Sequence, residues 1–252
     1  MTVLVGVRCK DGVAIGADSA ATSGIGNFQL MKLASDKVSI IGDRTIVAGT
    51  GSVGLSQRFN GVVKAAWDNK AFQKSRQICL NEITALALKD FASTNVQIHP
   101  QNGIGFGSLM ACVLDGEAQL VEFATADLQP EVKTSQLNFV AMGSGQMLAE
   151  PFMGFVSRVL WGDRQPDVKT ATFGVFWALS HTLTIAPGGV GPPIKLAVLS
   201  RDKGTWSAKV LEHGELDEAG QHIKAIEERI GRYPTEIFAE AKASPLPLGP
   251  KS

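Results

Sequence analysis

Residues 2–24 read TVLVGVRCKDGVAIGADSAATSG, and the fold class turns on this stretch. Two short apolar runs, 2–9 and 13–18, flank Lys10-Asp11-Gly12. Asp-Gly between such runs signals a β-hairpin, because both central residues of a tight primed turn take positive φ. The chain therefore opens with two antiparallel strands. Two more strands are expected at 37–42 and 45–49.

Working outward, Leu55, Phe59, Val62 and Ala66 recur at helical spacing, as do Leu80, Ile83, Ala87 and Phe91, which predicts two consecutive amphipathic helices. Strands follow at 109–114 and 118–123, split by Asp115-Gly116, and at 138–142. Leu148, Phe152, Phe155 and Val159 mark a third helix, and Val168, Thr172, Val175 and Leu179 a fourth, separated by the breaker-rich 162–166. Closing strands at 194–199 and 206–211 precede a last helix through Leu216, Ala219, Ile223, Ile226 and Ile230. Strands and helices arriving in blocks suit antiparallel sheets between helical layers, not the strict alternation of a parallel doubly wound sheet. The expected fold is α+β, a four-layer αββα sandwich forming one domain over 2–241. The tail 242–252, with Pro245, Pro247 and Pro250, is expected to be extended and mobile.

Composition excludes several functions. Lys+Arg and Asp+Glu both number 24, so no basic surplus points to nucleic acid or an anionic membrane. Cys9, Cys79 and Cys112 lack the paired spacing of a zinc site and the density of a disulfide scaffold, which fits a reducing cytoplasm with no metal or cofactor. The N-terminus carries no basic region before its apolar run, unlike a signal peptide, and no stretch approaches a membrane span of about 20 apolar residues.

Thr2 is the residue with chemical promise. Removal of Met1 before a small residue would leave a hydroxyl and a free α-amine on one residue. A hydroxyl attacks at neutral pH only with a base beside it, and an α-amine, with a pKa of about 7.7–8.0, suits that task. Taken alone, Met-Thr is more often just the start of a strand. The residues after Thr2 change that balance. The opening hairpin from Thr2, the Asp18-Ser19-x-Ala21-Thr22-x-Gly24 pattern and MKLASDKVSII (31–41) together resemble the proteasome β-subunit and HslV-type peptidases. The segment Gly188-Gly189-Val190-Gly191-Pro192-Pro193 is most similar to bacterial proteasome homologues of the Anbu-like and betaproteobacterial groups.

The resemblance implies an N-terminal nucleophile (Ntn) hydrolase with Thr2 as nucleophile, Asp18 as catalytic aspartate and Lys37 as catalytic lysine. An ammonium close to Thr2 favours the deprotonated hydroxyl, and a carboxylate partner orients that ammonium and offsets its desolvation. By the same resemblance Gly49 supplies the oxyanion N–H, with Gly51 as the alternative, and Ser144 of Gly143-Ser144-Gly145 hydrogen-bonds near the terminal amine. Substrate contacts fall on Ala21, Thr22, Val47 and Gly49. No Walker lysine follows Gly143-Ser144-Gly145, so nucleotide binding is not expected.

Two departures stand out. Ala20 replaces the family's arginine after the aspartate. Ser180-His181-Thr182-Leu183 lacks the family's auxiliary aspartate at the fourth helix's end, and His181 or Thr182 is the candidate substitute. The implied activity is a self-compartmentalising threonine endopeptidase: homo-oligomeric stacked rings, peptides or unfolded protein as substrate, and room for an ATPase partner. The alternatives are a small-molecule amidase of the Ntn class and a non-catalytic structural ring subunit. The last predicts a helical extension before the first strand, which this sequence does not show.

Overall fold

A computed structural model describes residues 2–25, 28–94, 103–186 and 190–243, with backbone only for 21–33 and 235–243. The chain divides into two compact units, residues 1–211 and 212–252.

The first unit begins with β1 (Leu4–Arg8) and β2 (Gly12–Asp18), paired antiparallel with Leu4 opposite Ala17. Gly12 does not serve the turn in the expected way, since neither it nor Asp11 has positive φ. Its lack of a side chain admits a neighbouring strand instead: a Cβ there would lie 2.1 Å from the Leu199 carbonyl oxygen. The hairpin β3 (Ala20–Ile25) and β4 (Phe28–Ala34) follows, and its pairing was not anticipated from the sequence. Then come β5 (Val38–Ile41) and β6 (Thr45–Gly51), helices α1 (Val53–Asp68) and α2 (Arg76–Ala92), and strands β7 (Phe106–Leu114), β8 (Glu117–Phe123), β9 (Pro130–Val132) and β10 (Phe139–Met142). Asp115 and Gly116, with φ of 53° and 81°, make the primed turn between β7 and β8 that Asp-Gly predicts. The unit closes with α3 (Gln146–Val156), α4 (Val168–Ile185), β11 (Ile194–Asp202) and β12 (Thr205–Val210). The second unit contains α5 (His213–Ala243); the tail beyond it lies outside the described residues.

The strands make two five-stranded antiparallel sheets, ordered β10-β1-β2-β11-β12 and β5-β6-β7-β8-β9. Because side chains alternate across a strand, each sheet has two apolar faces to cover. Leu4, Ile15, Ile46, Leu109, Leu120 and Leu199 meet between the sheets. On the outer face of the second sheet, Val47, Phe106, Met110 and Phe123 pack under Phe59, Val63, Ile83 and Phe91 of α1 and α2. On the outer face of the first sheet, α4 lies on β2 so closely that a Cβ on Gly16 would come within 2.6 Å of Leu179. The result is the four-layer αββα sandwich, with Thr2 at one end of its inner strands.

Helix starts are fixed by side chains that satisfy the first turn's free N–H groups. Ser52 caps α1, accepting from Leu55 N–H, and Asp167 caps α4, accepting from Thr170 N–H at 2.9 Å. The Ser52 cap sets α1 directly behind the end of β6. This places α1 beside Thr2.

Candidate active site

Thr2 immediately precedes β1, which pairs with β10 through Leu4 opposite Met142. The turn after β10, Gly143-Ser144-Gly145, therefore folds over Thr2. Both glycines are needed there. Gly143 has φ of 89°, and a Cβ on it would sit 2.3 Å from the Thr2 carbonyl oxygen; one on Gly145 would sit 2.7 Å from Val3. The close approach lets Thr2 N donate to Ser144 Oγ at 3.1 Å and Gly145 N–H donate to the Thr2 carbonyl at 3.1 Å. In the full chain the Thr2 nitrogen is the amide of the Met1–Thr2 bond; it occupies the position of the α-amine that loss of Met1 would expose. Thr2 itself is buried, 8% exposed.

Asp18 ends β2 opposite this turn, and its carboxylate is fully buried. It accepts four hydrogen bonds. Oδ1 takes Val3 N–H at 2.9 Å and Lys37 Nζ at 2.7 Å, while Oδ2 takes Ala20 N–H at 3.0 Å and Gly191 N–H at 3.1 Å. The Lys37 side chain, 9% exposed, reaches this carboxylate from just before β5. Desolvating two charges costs several kcal/mol per ion, so such a pair persists only with close geometry and with its remaining lone pairs satisfied. Three backbone N–H groups provide that satisfaction here.

Thr2 and Lys37 open onto one pocket of about 170 Å³, which also reaches Gly49, Gly51 and the first turns of α1. Thr2, Asp18, Lys37 and Ser144, widely separated in sequence, thus converge at one end of the sandwich.

Several assignments change on contact with the structure. Gly49 lines the pocket, but its N–H donates to the Lys37 carbonyl at 3.2 Å, so it is engaged in the β5–β6 ladder and not free to hold an anion. Gly51, two residues on, lines the same pocket, is exposed, and takes φ of 93°, a conformation in which glycine is the default residue. Val47 shares the α1-facing side of β6 with Gly49, but it is 1% exposed, packs into the core under α1 and α2, and does not line the pocket. Ala21 and Thr22 lie on β3, paired with Leu33 and Lys32; their side chains lie outside the described residues. The two candidate substitutes for the auxiliary aspartate are both engaged within the helical layer, Thr182 with its methyl group beside Gly145. Thr182 Oγ donates to the Ala178 carbonyl at 2.8 Å, and the His181 ring stacks on Phe152 with centroids 4.1 Å apart.

The sequence reading missed the Gly191 N–H on Asp18. Its segment was recognised as a family mark, but a bond spanning 173 positions has no local signal. It also missed the Lys195–Asp36 ion pair at the pocket edge, 2.5 Å, made by residues far apart in the chain.

Two antiparallel sheets between helical pairs, with a threonine at the head of an inner strand, define the proteasome-type Ntn sandwich. The proteasome subunit family matches residues 2–154, and the chain belongs to that family. Among solved structures it is similar to Anbu from Hyphomicrobium sp. strain MC1, in a Gly-1 mutant (TM-score 0.64, 15% identity) and in a second structure of Anbu from that strain (0.63, 16%). These alignments cover 92% and 91% of this chain and 97% of each Anbu chain. At that identity the likeness concerns the fold. No curated protein matches in sequence. Among the described residues no group of three or more His, Cys, Asp or Glu is placed to hold a metal ion, and no helix is long and apolar enough to cross a membrane.

Proposed function

We propose that this chain is a threonine endopeptidase that works as homo-oligomeric stacked rings in the cytoplasm, cleaving peptides or unfolded polypeptides. The observation that carries the reading is the buried Lys37–Asp18 pair, whose carboxylate accepts four hydrogen bonds and whose lysine lines the same pocket as Thr2.

In the proposed cycle Thr2 Oγ attacks the scissile carbonyl while its proton passes to the α-amine, which Ser144 Oγ holds at the position now occupied by the Thr2 nitrogen. The Lys37 ammonium stabilises the developing alkoxide. Gly51 N–H receives the oxyanion, a donor of a kind worth about 3 kcal/mol of barrier. The protonated amine then gives its proton to the leaving amine, and an ester to Thr2 remains. Water, deprotonated by the same amine, hydrolyses that ester and restores the hydroxyl.

The test begins with intact mass. An active preparation should have lost one methionine, because Thr2 retained in a peptide bond has no basic amine. Thr2→Ala should then abolish cleavage, and a peptide epoxyketone should label the wild type at Thr2. Labelling at Ser144 or a cysteine would refute the assignment. Light scattering should find a particle many times 26.7 kDa. A monomer with full activity would favour a small-molecule amidase using the same nucleophile.

A further inference from the structure

The last helix is patterned more strictly than an amphipathic surface helix requires. Along α5, Leu216, Ala219, Ile223, Ile226, Ile230 and Tyr233 alternate spacings of three and four without a break, and Ile237 is next in the same count. Most residues between them are charged or polar. A helix that rests on a globular body keeps its apolar stripe at a period near 3.6, whereas a repeat of 3.5 is the seam of a coiled coil. Over the three heptads from Leu216 to Ile237 a straight helix turns that seam by about 60°, so supercoiling about another helix is what keeps it in line.

Exposure rises along the seam, from 6% at Leu216 and Ile223 to 54% at Ile230 and 61% at Tyr233. The exposed end also holds the poorest helix formers, Gly231 and Pro234. Glycine loses the most backbone freedom on ordering, and proline removes an internal hydrogen bond. Such a stretch draws its helical stability from packing of its apolar face and not from propensity.

The flanks of the seam indicate what packs there. With Ile223, Ile230 and Ile237 as a positions and Ile226 and Tyr233 as d positions, Arg229 and Glu236 hold successive g positions. Charges beside the seam set partner and orientation. In an antiparallel pair a faces d and g faces g. Ile230 opposite Tyr233 of a second copy then sets Arg229 opposite Glu236, and the two-fold axis repeats both matches. A parallel pair would instead set Arg229 against Pro234 and lay the two helix dipoles in the same direction.

We propose that the C-terminal half of α5 is an interface on which the same segment of a second copy packs antiparallel, with Ile230 facing Tyr233, Ile226 facing Ile237 and Arg229 matched to Glu236. The contact goes beyond the peptidase reading and does not depend on an active Thr2. Its core of four residues a side is far smaller than the roughly 20–30 of a standard interface, so it is to be read by proximity and not by mass alone.

The experiment oxidises the full-length protein mildly and resolves it without reductant. Cys9, Cys79 and Cys112 are buried, which leaves introduced thiols to react. Ile226→Cys/Ile237→Cys should give a covalent dimer. Each single variant should not, because antiparallel pairing separates like positions by about 16 Å along the axis. Arg229→Cys/Glu236→Cys, linked by a short bis-maleimide, is the surface counterpart should the core cysteines disturb the helix. In the Ile226→Cys/Ile237→Cys background, Arg229→Glu should cut the dimer yield about fivefold through loss of two exposed ion pairs, and adding Glu236→Arg should restore it. Dimers from either single variant, no link from either double variant, or a loss that Glu236→Arg fails to restore would overturn the proposal. Large particles that persist without the link would remove this contact and leave the rings and the peptidase reading standing; a specific link in a protein whose Thr2 takes no epoxyketone would do the reverse.

Discussion

Replacing Asp18 by asparagine should damage the fold and the chemistry together, and the hydrogen bonds state by how much. The carboxylate accepts two donors on each oxygen, all in a fully buried site. Asparagine offers one acceptor oxygen and one NH₂. With its oxygen towards Val3 N–H and Lys37, the NH₂ confronts the N–H groups of Ala20 and Gly191. Two buried donors then lack acceptors, at about 1–3 kcal/mol each. The opposite orientation strips the acceptor from a buried ammonium, where breaking such a pair costs about 3–5 kcal/mol, and from Val3 as well. The first orientation is the cheaper, since Lys37 keeps a hydrogen bond though not its countercharge, and a loss of at least about 4 kcal/mol is expected, roughly twice the middle of that per-donor range before any charge cost. For a chain of this size that lowers Tm by about 8–16 °C, since each kcal/mol shifts it by about 2–4 °C. Peptidase activity should fall to background because the ammonium has lost its countercharge. Urea unfolding at fixed protein concentration, followed by tryptophan fluorescence, supplies the stability and a fluorogenic peptide the activity. Adding Lys37→Met to Asp18→Asn should recover part of the stability and none of the activity, since it removes the uncompensated charge. An Asp18→Asn protein within about 1 kcal/mol of wild type would refute the reasoning, because that is less than one unpaired buried donor costs.

Other expectations rest on single contacts. Gly143→Ala should suppress activity and lower stability by at least about 1–2 kcal/mol, the usual penalty for a left-handed non-glycine residue, since its Cβ would also press on the Thr2 carbonyl; unchanged kcat/KM would contradict the close approach. Asp167→Ala should cost about 1 kcal/mol through loss of the α4 cap. The Thr170 N–H holds the Asp167 carboxyl below the usual range, so this contribution is present above the unfolded pKa of about 3.9 and disappears as pH falls through the folded value. The wild-type advantage in urea midpoint should accordingly shrink in acid, and a gap that widened would reverse the sign. Burial pushes the Cys79 thiol up to about 12 and raises those of Cys9 and Cys112, so Ellman's reagent at a pH of about 8, below even an ordinary thiol pKa, should find all three thiols only after denaturation. Rapid labelling of the folded protein would show a more open core.

Much of this arrangement could be read from residue types and spacing. The outer helices were legible because Phe59, Val62 and Ala66, or Ile83, Ala87 and Phe91, each repeat on one buried stripe. Thr2, Asp18 and Lys37 were singled out through a family pattern, and the structure pairs Lys37 with Asp18 and lines one pocket with Lys37 and Thr2. The β3–β4 hairpin escaped because Ala20–Ile25 is rich in small residues and lacks the alternation that marks a half-buried strand. The contacts of Gly12 and Gly49 were hidden from the sequence for a common reason. A glycine's local role depends on what approaches it, here the Leu199 carbonyl and Ser56, and those partners come from elsewhere in the chain. The edge on which Gly49's N–H falls is set by strand register, which residue types alone do not fix.

The clamp on Thr2 bears on the order of events during biogenesis. With Ser144 on its nitrogen, Gly145 on its carbonyl and only 8% of its surface exposed, the residue after Met1 is already held in place in the unprocessed chain. An aminopeptidase acting in trans has to grip the residues on both sides of the bond it cuts, and the finished fold withholds one of them. Excision by such an enzyme therefore belongs to the nascent chain, before β1 pairs with β10, and a molecule that folds with its first methionine still attached keeps an amide where the proposed mechanism needs an amine.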